Sequence, residues 1–169
     1  AGFGSHTRFL AGDRLNDLNM VRLNCEAVLD LTHRCVPAMV ERGRGGVIIV
    51  SSVVGHQPIP YMTVYSATKG FDLYLAEGLW AELRGTGVDV LALCPGHTDT
   101  EFHDVANLRR SFTGASASAG QVARRALRML GRQPTTIDGL TNRLLVLATR
   151  LFPRGLAARV AAALSVPKD

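Results

Sequence analysis

Gly46-Val47-Ile48-Ile49-Val50-Ser51-Ser52 is a β-branched apolar run that ends on two hydroxyl residues. The run predicts a strand buried on both faces, because β-branched side chains suit a covered, pleated surface. Its hydroxyls then sit at the carboxyl end, where open α/β sheets place their ligands. Upstream, Asp13 can cap a helix from about Arg14 to Glu41, with apolar residues from Leu15 to Cys35 at helical spacing. Pro37 is expected to kink its end, and the glycines at 43, 45 and 46 stop it. Downstream, Pro58 and Pro60 hold a loop, and a second helix runs from about Met62 to Arg84.

The stretch 88–93 repeats the strand signature and is broken at Cys94-Pro95-Gly96. Residues 97–117 read as a loop carrying a short helix. A third helix follows at about 119–130, and Thr135-Thr136-Ile137 as a short strand. Strands alternating with helices predict an α/β domain with a parallel sheet. The chain of 169 residues suits a single domain, 1–169, with a tail at 140–169. That tail is apolar with Arg143, Arg150, Arg154 and Arg159 at regular intervals, and Pro153 breaks it into two amphipathic segments. Such segments line a cleft, pack between subunits, or lie on a membrane surface.

Composition removes several classes. With 47% hydrophobic and 20% charged residues, the chain is globular rather than disordered. No apolar run reaches the ~18 residues of a membrane span, and no signal peptide is recognisable. The net charge of +5 is scattered apart from the doublets Arg109-Arg110 and Arg124-Arg125, so solvated helix faces explain it, with a phosphate-rich or anionic-lipid partner as the alternative. No zinc-ligand spacing and no RNA-binding aromatic pattern is present, so no metal and no nucleic-acid partner is expected. Cys25, Cys35 and Cys94 lie in apolar runs and read as buried, reduced thiols of a cytoplasmic protein.

The chemistry-bearing residues follow from these elements. Tyr65 and Lys69 are four apart, so a helix sets them on one face, one turn apart. A phenol ionises near pH ~10, and a nearby ammonium favours its phenolate. Such a pair can move a proton near neutral pH, worth roughly 10²–10⁴ in rate. By itself the spacing is common, and an ordinary helix surface pair is the better explanation of it. Ser52 at a strand end can donate to a substrate oxygen as charge develops there, whereas Ser51 fits a simple turn. Asn24 is a polar residue in an apolar helix. Pro95-Gly96 allows close backbone approach, and the Thr98 and Thr100 hydroxyls can bind phosphate or amide groups.

Taken together, Gly46 to Gly55, Tyr65-Ser66-Ala67-Thr68-Lys69 and Cys94 to Thr100 resemble the short-chain dehydrogenase/reductase family in order and spacing. Ser52 precedes Tyr65 by thirteen positions, and Arg22-Leu23-Asn24 resembles the family's helix asparagine. Ala1-Gly2 resembles the end of its Asn-Asn-Ala-Gly turn. The resemblance implies a Rossmann-like, doubly wound parallel sheet. It also implies an oxidoreductase that interconverts an alcohol with a ketone or aldehyde by hydride transfer, using NADP or NAD.

By the same resemblance, Tyr65 is the acid/base, Lys69 lowers its pKa and holds the nicotinamide ribose, and Ser52 polarises the substrate oxygen. Asn24 supports a water that links Lys69 to solvent. Ala1, Gly2, Pro95, Gly96, Thr98 and Thr100 join Tyr65 and Lys69 at the cofactor, with Thr98 standing where the family usually has Val or Ile. The helices at 14–41 and 62–84 imply a homodimer or homotetramer.

One departure is large. The sequence contains no Gly-x-x-x-Gly-x-Gly turn. The family's first four strands, on the order of 80–90 residues at ~30 per β–α–β unit, are expected upstream of Ala1. The 169 residues alone are therefore expected to be inactive, with an apolar strand edge exposed at 47–51. A non-catalytic remnant that acts as a dimerising interaction protein is the alternative reading.

Overall fold

The computed structural model describes residues 2–99 and 117–166. Ala1, Thr100 and the stretch expected to carry a short loop helix, apart from its ends, lie outside them. The first helix begins where expected: the Asp13 carboxylate accepts from Leu15 N at 2.8 Å. It runs as α1 (Arg14–Val21), a single π-helical turn (Arg22–Glu26) and α2 (Ala27–Glu41). Pro37 lies inside α2, which ends at Glu41 as expected.

β1 (Gly45–Val50) leads through a short 3₁₀ turn at Val53–His56 into α3 (Thr63–Glu82). β2 (Val88–Cys94) follows, then a short strand β3 (Thr98–Asp99). The chain resumes with β4 (Ala117–Ser118), α4 (Ala119–Met129) and β5 (Thr135–Ile137). Ser118 and Gln121 start α4 with a reciprocal capping box. The tail forms α5 (Leu140–Leu151) and α6 (Arg154–Leu164), parted at Pro153 as the sequence predicts.

The main sheet has the order β1-β2-β5 and is parallel throughout. Val47 pairs with Val90, and Leu93 pairs with Thr136. Helix α3 makes the crossover from β1 to β2, and α4 the crossover from β2 to β5. β2 is the centre: alternate residues feed two cores. Val90, Ala92 and Cys94 join Ile49 against Leu73 and Ala76 of α3. Leu91 and Leu93 pack on Val122 and Ala126 of α4. Helices on both faces of a parallel sheet make the doubly wound arrangement. The separate pair β3–β4 aligns Thr98 with Ala117.

Two expectations are corrected. β1 is not covered like β2: Ile49 is buried, Val47 and Ile48 are half-buried, and Val50 is exposed. Among the described residues β1 has a strand on one side only, which leaves its other flank open. The cysteines also divide. Cys94 is buried in β2 and Cys25 is half-buried, but Cys35 is exposed on the outer side of α2.

Candidate active site

Ser52, Tyr65 and Lys69 converge where β1 ends and α3 begins. Ser52 leaves β1 in an extended conformation and starts the 3₁₀ turn, with Val54 N donating to its hydroxyl at 3.4 Å. That hydroxyl lies 3.5 Å from the Pro95 carbonyl at the end of β2 and hydrogen-bonds Tyr65. Tyr65 and Lys69 occupy the first two turns of α3, and both are buried. Lys69 Nζ sits 6.0 Å from the centre of the Tyr65 ring. It donates to the Val50 carbonyl at 2.9 Å and to Asp72 Oδ2 at 2.9 Å.

The Tyr65 phenol is pushed up to about 12. Burial is the main cause, the Ser52 hydrogen bond pulls the other way, and the Asp72 charge adds to the rise. The expected lowering by Lys69 is not met in this arrangement. The ammonium donates to Val50 O and Asp72 instead, and burial sets the direction of the phenol's shift. Tyr65 is therefore a neutral phenol at neutral pH.

Asp72 was not singled out in the sequence. Its signal was the three-residue spacing from Lys69, which puts the two on one helix face. The flanking Phe71 and Leu73 did not reveal which side of the helix that face takes. The carboxyl is fully buried, one oxygen bonds Lys69, and the other, Oδ1, has no hydrogen-bond partner. Burial raises its pKa, and Lys69 offsets part of that rise.

Asn24 reaches the site from the π-helical turn and is fully buried. Its amide brackets the backbone of Phe3: Phe3 N donates to Oδ1 at 3.2 Å, and Nδ2 donates to Phe3 O at 2.9 Å. Nδ2 also donates to Thr68 Oγ1 at 3.0 Å, and that hydroxyl donates to Tyr65 O at 2.8 Å. Asn24 thus ties the segment after Gly2 to the helix that carries Tyr65. Gly2 borders the site, since a Cβ there would stand 3.8 Å from Lys69 Nζ. Ser51 does more than fit a turn: its buried hydroxyl donates to Lys69 O at 2.6 Å and clamps β1 to α3.

The strand-end loop is only partly assembled around these groups. The Pro95 carbonyl accepts from Val53 N at 3.1 Å, which joins the ends of β1 and β2. At Gly96 the space a side chain would take is filled by Asn142 of α5, so the close approach there comes from the chain itself. Thr98 Oγ1 donates back to Gly96 O at 3.2 Å. Ala1 and Thr100 lie outside the described residues. No cluster of metal ligands occurs among the described residues. A cavity of about 230 Å³ lies further along α3, between Leu73, Glu77, His56, Arg150 and Phe152, and does not include Ser52, Tyr65 or Lys69.

The residues beside Lys69 fit the ribose end of a dinucleotide. An ammonium has three N–H donors, and Val50 O and Asp72 engage two, so one remains for a hydroxyl. Gly2 lies alongside, its Cα closed in by Asn24 Oδ1, which a Cβ would approach to 3.0 Å. A pyrophosphate cradle has no counterpart in this sequence.

The chain is similar to known proteins. The human very-long-chain 3-oxoacyl-CoA reductase is 32% identical over 126 residues, covering 75% of this chain and 39% of that protein. A solved 7beta-hydroxysteroid dehydrogenase superposes with a TM-score of 0.81 at 26% identity, covering 96% of this chain and 64% of that one. A short-chain dehydrogenase from Sphingobium yanoikuyae, solved with NADPH, gives 0.76 at 27% identity, covering 100% and 64%. The chain spans less than half the length of the curated relatives it matches, 28% in one case and 44% in another. The model of the family described as short chain dehydrogenase matches residues 1–110, which hold Asn24, Ser52, Tyr65 and Lys69. With the parallel sheet and these four side chains set around one strand end, the chain belongs to the short-chain dehydrogenase family.

Proposed function

We propose that the protein carrying this chain is an NAD(P)-dependent oxidoreductase that interconverts an alcohol and a ketone or aldehyde, with Tyr65 as its acid/base. The observation that carries this reading is the Ser52–Tyr65–Lys69 group at the carboxyl end of β1, with Tyr65 and Lys69 buried and Ser52 half-buried. When bound, the nicotinamide supplies the hydride for reduction or accepts it in oxidation. The neutral Tyr65 phenol gives its proton to the substrate oxygen in reduction and recovers it in oxidation. Ser52, already bonded to Tyr65, aligns that oxygen by donating to it. Lys69 and Gly2 hold the ribose, and Asn24 keeps Gly2 and α3 in register. NADP and NAD both fit these residues.

A homodimer through the helices at 14–41 and 63–82 fits the same reading, since Leu15, Leu31 and Tyr74 stand well exposed on them. For the 169 residues alone, without a pyrophosphate cradle, we propose no turnover. The test is reduction of a ketone and aldehyde panel by the native protein with NADPH or NADH. Tyr65→Phe should lower the rate by roughly 10²–10⁴ while nucleotide binding survives. A rate indifferent to that change would remove Tyr65 from the chemistry.

A further inference from the structure

The tail is amphipathic in an unusual sense. On α5, Val146 is buried, and Asn142 and Thr149 are half-buried on the same side. Directly opposite stand Leu140, Leu144, Leu147 and Leu151, which are 72%, 59%, 56% and 76% exposed. Their spacing of four, three and four residues draws one outward stripe along the helix. On α6, Ala161 faces inward, while Leu156, Val160 and Leu164 are exposed. Phe152, between the helices, is exposed too. Contiguous exposed apolar side chains on this scale mark an interaction surface.

The charge of the segment identifies the partner. Residues 139–166 contain Arg143, Arg150, Arg154 and Arg159 and no Asp or Glu. Arg143 and Arg150 lie on one flank of α5, roughly a quarter turn from the leucine stripe at 3.6 residues per turn. The Arg143 guanidinium donates to Ile137 O, and that of Arg154 to Tyr74 OH. Neither partner is a carboxylate, and neither arginine forms an ion pair among the described residues, although Arg150 and Arg154 border the cavity that also holds Glu77. A second copy of the same surface would bring like charges face to face. An anionic bilayer accepts both features, because leucines enter the acyl boundary while arginines reach up to headgroup phosphates. Among the described residues no helix is long and apolar enough to cross a membrane. The segment therefore lies on the surface rather than spanning it.

We propose that the helices Leu140–Leu151 and Arg154–Leu164 form a peripheral docking surface for an anionic lipid bilayer. This surface is separate from Ser52, Tyr65 and Lys69 and does not depend on the proposed activity. The experiment is co-sedimentation of the full chain with phosphatidylcholine vesicles, with and without phosphatidylserine. Saturable binding is expected only with phosphatidylserine. It should weaken about tenfold or more on going to high salt, where charges are screened. The pair Arg143→Glu/Arg150→Glu should abolish it, and so should Leu147→Asp/Leu151→Asp. All four positions are exposed, so both variants should keep the wild-type far-UV spectrum and melting temperature. Binding indifferent to phosphatidylserine, or no binding to either vesicle, overturns the proposal. So does a dimer, seen by sedimentation velocity, that the leucine pair dissolves, since a second copy would then own the face.

Discussion

At the scale of single residues, burial sets the protonation of the site. Tyr65, Lys69 and Asp72 are all buried, and the ammonium stands between the carboxylate and the Val50 carbonyl. The phenol responds by staying protonated up to about 12. Its folded pKa lies above the unfolded value near 10, so the stability it contributes is complete below about pH 10 and is lost as pH rises towards about 12. A difference titration of wild type against Tyr65→Phe, read by phenolate absorbance, should show that midpoint. Ser52→Ala should move it higher, because the bond that favours the phenolate is gone. Asp72→Asn should move it lower, because a repelling charge is gone. If neither variant moves it, Ser52 and Asp72 do not control the acid. Tyr65 and Lys69 were legible as a pair from their helix spacing and Ser52 from its place at a strand end, whereas Asn24 joined them only through the family resemblance. Asp72 was not, since sequence shows which residues share a helix face and not how deeply that face is buried.

The elements are held in place by a few close approaches. The 3₁₀ turn at Val53–His56 lies against α3 so tightly that a Cβ on Gly55 would stand 2.6 Å from Lys69 O and 2.8 Å from Ser51 Oγ. The Ser51–Lys69 hydrogen bond runs through the same contact. Gly55→Ala must push the turn off the helix, and overpacking of this kind costs about 1–3 kcal/mol. Urea unfolding should show that loss, and nucleotide binding should fall with it because Lys69 is displaced. An unchanged midpoint would mean the turn yields without cost. Element existence was readable here: both strands, the three longer helices and the break at Pro153 stand close to where periodicity, Gly and Pro put them. The π-helical turn that carries Asn24 was not, because its cause is tertiary. The amide has to meet Phe3 and Thr68 together, and neither partner is near it in sequence. Gly96 shows the same limit, since nothing local announces that Asn142 fills its space.

For the whole molecule, the order β1-β2-β5 makes three strands unequal. β2 is paired on both sides over part of its length, as Ile49 faces Ala92 and Ala92 faces Thr135. Both faces of β2 are also packed by α3 and α4. Among the described residues β1 is paired along one flank only, and Val50 at its end is exposed. Stability is distributed accordingly, since local opening is easiest where few buried contacts and ladder bonds resist it. Native-state amide exchange should therefore rank the sheet. The amides of Val90, Leu91 and Ala92 should exchange slowest, close to the rate of global unfolding. In β1 a parallel ladder points alternate amides at β2 and the others away. Those aimed at β2 should be protected and the alternate ones should exchange much faster. An open edge of this kind is a template for another strand, so protection of the outward set should rise with protein concentration if chains pair through it. Protection of the outward set equal to that of β2 in dilute solution would mean that β1 is covered along its second flank as well. The three-stranded order would then be the wrong description of this sheet.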